Sequence, residues 1–121
     1  ALETLKIYEE RDIVAMARER APALQDGLRQ YADHPLVGEV RGRGLIAGVE
    51  LAEDKSGRKP FDAGRGAGAI VQAEAKARGV LVRALGDTVA FCPPLMIPAG
   101  DLKAVIDRFG EALGAAAKRL A

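Results

Sequence analysis

Arg83 is the side chain whose type and setting point most directly to chemistry. It lies in Val80-Leu-Val-Arg-Ala-Leu-Gly-Asp87, where strand alternation puts Val80 and Val82 on one face and Leu81 and Arg83 on the other, a few residues ahead of a turn. A guanidinium held at such a rim presents a planar fork that matches a carboxylate through two parallel hydrogen bonds, which lysine cannot reproduce. From pattern alone the competing reading is an ordinary surface arginine, because most exposed arginines make weak contacts. Arg41 and Arg43 share that ambiguity and have less positional support.

Other reactive types lead nowhere comparable. Gly42-Arg-Gly-Leu-Ile-Ala-Gly48 superficially suggests a phosphate-cradling loop, but a dinucleotide fingerprint needs its third glycine one residue earlier and must open a helix. Here the glycines run into an apolar stretch ending at Leu51, so a bulge or a close approach of another backbone is expected. His34 precedes Pro35 with no acid or nucleophile at a suggestive spacing and reads as a helix-terminal or surface histidine. Cys92, beside two prolines, reads as a buried structural thiol, since no activating histidine is evident. Glu9, Glu10, Asp12, Glu19 and Asp26 fall on solvated helix faces, where charge pairing is a sufficient role.

The elements that must position Arg83 follow from periodicity. In 11–31, Ile13, Ala17, Ala21, Leu24, Leu28 and Tyr31 recur at three- and four-residue intervals, an amphipathic helix in which Pro22 predicts a kink or restart. Residues 37–44 and 45–51 are glycine-rich and β-branched, as paired strands are. The polar stretch 52–62 reads as an exposed connection, and Asp62 as the cap of a helix that Gly79 stops. Residues 80–85 and 88–92 predict a hairpin around Gly86 and Asp87. A final helix over 101–120 buries Leu102, Val105, Ile106, Phe109, Leu113, Ala116 and Leu120. The sum is an α+β fold: a small, mainly antiparallel sheet covered by helices on one face.

Composition narrows the function classes. With 121 residues, 49% hydrophobic, 29% charged and a net charge of +1, one ordinary globular domain is expected. Interleaved charges give no positive field for nucleic acid, and no apolar run reaches the ~20 residues that would span a bilayer. The default expectation is a cytoplasmic protein. A single cysteine excludes an internal disulfide and cannot by itself build a thiolate metal site. Residue 1 is Ala and the first residues already read as helix, so the chain is expected to begin inside an element.

Three segments add what spacing does not: Leu5-Lys-Ile-Tyr-Glu-Glu-Arg-Asp12, His34-Pro-Leu-Val-Gly-Glu-Val-Arg-Gly-Arg-Gly-Leu-Ile-Ala-Gly-Val-Glu50 and Gly79-Val-Leu-Val-Arg-Ala-Leu-Gly-Asp-Thr-Val-Ala-Phe-Cys-Pro-Pro-Leu-Met-Ile97. Taken in order, they resemble successive segments of class III aminotransferases of the omega-transaminase type. The resemblance implies the C-terminal small domain of a fold type I enzyme, with 1–32 as connecting helices and 33–121 as the small domain. It implies pyridoxal 5'-phosphate as cofactor, amine and keto-acid substrates and a homodimer built mainly on large domains. Arg83 falls where omega-transaminases resembling this sequence place the mobile arginine that binds a substrate carboxylate.

The family's imine-forming lysine, pyridinium aspartate and phosphate-binding groups belong to a large domain. None of Lys6, Lys55, Lys59, Lys76, Lys103 or Lys118 lies in the corresponding motif, so this chain alone is expected neither to hold the cofactor nor to transaminate. A small domain without its partner is also expected to self-associate weakly. Competing readings are a stand-alone α+β ligand-binding or interaction module and the small domain of a related aminomutase.

Overall fold

The computed structural model describes residues 1–121. Its elements are α1 (Leu2–Glu10), α2 (Ile13–Arg29), β1 (Val37–Arg43), β2 (Ile46–Leu51), α3 (Ala67–Ala77), β3 (Arg83–Leu85), β4 (Thr88–Phe91) and α4 (Ala99–Leu120), with single 3-10 turns at Gln30–Asp33 and Ala63–Arg65. No helix is long and apolar enough to cross a membrane.

Asp12 separates the first two helices. Its backbone takes the left-handed conformation at φ 46°, and its carboxylate accepts from the Ala15 amide at 3.3 Å, an N-cap for α2. The expected restart at Pro22 does not occur, and α2 continues through it. A helix-interior proline costs ~3 kcal/mol, whereas burying Leu24 and Leu28 beyond it in the same helix returns about 1.5–3 kcal/mol for each side chain.

Two other boundaries differ from the expected ones for local reasons. Asp62 caps the short turn Ala63–Arg65, and α3 begins only after Gly66. β3 starts at Arg83 rather than residue 80, because the Val80 amide bonds back to the Ala75 carbonyl at 3.0 Å. With Gly79 at φ +79°, that bond is the Schellman end of α3, and it takes Val80 out of the ladder.

The strands form one antiparallel sheet in the order β1-β2-β4-β3. Its inner face carries Ala47, Val49, Leu51, Val89 and Phe91, all buried, against Leu24 and Leu28 of α2, Val71 of α3 and the α4 stripe. Phe109 of α4 is fully buried and meets Phe91 edge-to-face, with ring centroids 4.8 Å apart. The glycines of β1 follow the close-approach reading at Gly42, where an added Cβ would lie 2.4 Å from the Ile46 carbonyl oxygen. The expected α+β layer with helices on one face is the observed one.

His34 closes the turn before β1. Its amide donates to the Tyr31 carbonyl at 2.9 Å, and its Nδ1 accepts from the Leu36 amide at 3.2 Å. Burial lowers its pKa below the ordinary 6.5, so the unfolded chain binds the proton more readily than the folded one. Stability is therefore expected to hold above about pH 6.5 and to fall as the pH drops through the depressed folded value, because the protonated ring also loses its acceptor. Urea midpoints across pH 5–8 check this: His34→Asn keeps an acceptor without titrating and should flatten the slope, and an unchanged slope would remove His34 as its source.

Candidate functional site

The uncovered sheet face is where the chain's own core makes no demand on side chains. Alternation brings Glu39 and Arg41 of β1, Ile46, Gly48 and Glu50 of β2, Thr88 and Ala90 of β4 and Arg83 and Leu85 of β3 to this side. One cross-strand row reads Arg41, Gly48, Ala90, Arg83. Its two central residues are small, so the row is a trough with an arginine at each end.

Those arginines differ electrostatically. The Arg41 guanidinium lies 2.5 Å from Glu50 and 3.0 Å from Glu39, and the hydrogen bond to Glu50 is the main reason its pKa is raised. Arg83 is exposed and has no carboxylate partner within the protein. Leu81 and Leu85, on either side of it along the chain, are 84% and 54% exposed. A free planar cation flanked by bare leucines fits a molecule with a carboxylate and an apolar body. A mostly apolar hollow of about 200 Å³ is lined by Leu24, Val80, Leu81, Phe91, Cys92 and Ile97; Leu24 and Phe91 belong to the buried core, so it does not open on the face that carries Arg83.

Cys92 is exposed, which corrects the expectation of a buried thiol. Phe91 points into the core at 3% exposure, so the next residue must face outward, and strand parity alone carried that signal. His34 and the helix carboxylates join no metal-binding group of His, Cys, Asp or Glu. Arg43 is exposed and pairs in register with Ile46 at the tip of the first hairpin. A second groove of about 510 Å³ runs past Glu39, Glu50, Lys55 and Arg58; its walls carry both signs of charge and so select neither.

Contacts that sequence reasoning missed hold the β3–β4 hairpin in place. Gly86 at φ +59° makes the turn, and an added Cβ on Gly68 of α3 would lie 2.0 Å from its carbonyl oxygen. Asp87 Oδ1 accepts from the Gly68 amide at 3.3 Å, and the Asp87 carbonyl accepts from the Leu51 amide at 2.8 Å. One helical turn beyond Gly68, Gln72 Oε1 accepts from the Ala84 amide at 2.6 Å. An aspartate in the turn dipeptide was a usable signal for the first of these contacts, but nothing in the sequence marked Gln72.

Comparison with known proteins gives this face its setting. A family model described as aminotransferase class-III matches residues 1–113. The gamma-aminobutyrate transaminase 1, mitochondrial, of Oryza sativa subsp. indica is 43% identical over 121 residues, which is 100% of this chain and 23% of that protein. A transaminase solved with L-alanine superposes at a TM-score of 0.94 with 47% identity, over 99% of this chain and 28% of that one. The omega transaminase of Pseudomonas jessenii in complex with PMP gives 0.93 and 41%, over 98% and 26%. The chain thus spans about a quarter of the length of the proteins it matches. On the match over 1–113, this chain belongs to the class-III aminotransferases.

Proposed function

We propose that this chain is the C-terminal small domain of a pyridoxal-phosphate-dependent transaminase that moves an amino group from an amine or omega-amino acid to pyruvate or a similar keto acid. In this reading Arg83 binds the carboxylate of the acid. The observation that carries the proposal is an unpaired guanidinium, flanked by exposed Leu81 and Leu85, on the sheet face left bare by the chain's own helices, within a class-III aminotransferase sequence. The relatives support the substrate class: one is named for gamma-aminobutyrate, an omega-amino acid, and another as an omega transaminase.

The groups of this chain do not by themselves fit the cofactor. An imine-forming lysine needs a desolvated amine that loses its proton readily. All of the lysines here are exposed, and hydrogen bonds to Glu53 and Asp107 hold Lys59 and Lys103 more firmly protonated than usual. We therefore assign the cofactor-holding groups to a large domain outside this chain, with the isolated chain inactive and the whole enzyme a cytoplasmic homodimer.

The test uses the full-length enzyme. Given pyridoxal phosphate, a primary amine or omega-amino acid, and pyruvate, it should accumulate alanine, with no turnover when pyruvate is withheld. Absence of alanine across a panel of such donors would remove the proposal, and turnover without any acceptor would point to an aminomutase instead.

A further inference from the structure

We infer that Gln72 is a positioning residue that fixes the strand carrying Arg83, an inference that rests on the reading of Arg83 as the carboxylate receptor. β3 is three residues long and lies at the sheet edge. Its two-residue turn makes Leu85 with Thr88, and Arg83 with Ala90, the pairs that exchange hydrogen bonds with β4. Ala84, between them, turns its amide toward the open edge. Gln72 Oε1 meets that amide at 2.6 Å, where the carbonyl of a further strand would stand.

The neighbouring backbone explains why this one bond matters. Residues 80–82, immediately before Arg83, lie outside the ladder, and Val80 is bonded back to α3. Gly68 and Gln72 are four residues apart and share a face of α3. Gly68 holds the turn of the hairpin, and Gln72 holds the strand. Without the second contact the backbone hydrogen bonds of β3 run only to β4, and a long side chain magnifies any tilt of the backbone that bears it. Gln72 is itself exposed, so water satisfies the freed amide and the effect on folding stays small, whereas productive binding needs a finely placed guanidinium.

The experiment compares Gln72→Leu, which keeps bulk and removes the acceptor, with Gln72→Glu, which keeps an acceptor, in the full-length enzyme. Gln72→Leu should raise KM for pyruvate about three- to tenfold, with KM for an uncharged arylalkyl amine and the melting temperature unmoved. Gln72→Glu should recover most of that loss, and Gln72→Leu should add nothing in an Arg83→Ala background. An unchanged KM for pyruvate, an equal rise for both substrates or an effect that survives removal of Arg83 would overturn the role of Gln72 and leave Arg83's intact. Arg83→Ala without effect on pyruvate would overturn the receptor reading and this inference together.

Discussion

Replacing Arg83 by alanine in the full-length enzyme is expected to weaken pyruvate by one to two orders of magnitude while reaction with an uncharged arylalkyl amine changes little. The size follows from the contact removed: a hydrogen bond to a charged group contributes about 1.5–3 kcal/mol, and each 1.4 kcal/mol is tenfold in affinity. Arg83 has no protein partner to leave unpaired and lies outside the core, so the loss should be confined to carboxylate substrates. Lysine at this position keeps the charge without the fork and should recover only part of the affinity. Single-turnover rates for the two half-reactions read the difference directly. Equal losses in both would end the role proposed for Arg83.

The largest effect on stability is expected at Phe109. Its ring is wholly buried between α4 and the sheet, edge-to-face with Phe91 at 4.8 Å and with Tyr31 at 6.0 Å. Phe109→Ala removes the ring and leaves a cavity, a change that costs about 3–5 kcal/mol, against a total of about 5–15 kcal/mol for a typical domain. Urea denaturation should show a midpoint displaced far below wild type. Phe109→Leu refills much of the volume and should lie between the two. A midpoint for Phe109→Ala close to wild type would mean that the three-ring cluster does not anchor the sheet to its helices.

Much of this arrangement was legible in the residues, for identifiable reasons. The α4 stripe repeats Leu102, Ile106, Phe109 and Leu113 at helical spacing, and each is buried. The hairpin was marked by its Gly-Asp turn, and alternation placed Arg83 opposite the inward-facing Val82. What escaped was governed by contacts between distant segments. The pairing of β2 with β4 depends on which strands share a core, and local spacing does not encode that. α2 ran through Pro22 because buried leucines beyond it outweigh one missing donor. Gln72 was silent because its role exists only when α3 lies along the edge of β3.

The two faces of the sheet answer to different constraints, and this shapes how the molecule can diverge. Leu81, Arg83, Leu85, Ile46 and Cys92 contribute nothing to the buried cluster, and substitutions at such positions usually shift folding by no more than about 0.5 kcal/mol. Descendants of this sequence can exchange these side chains at little cost to folding, without first acquiring a compensating mutation inside.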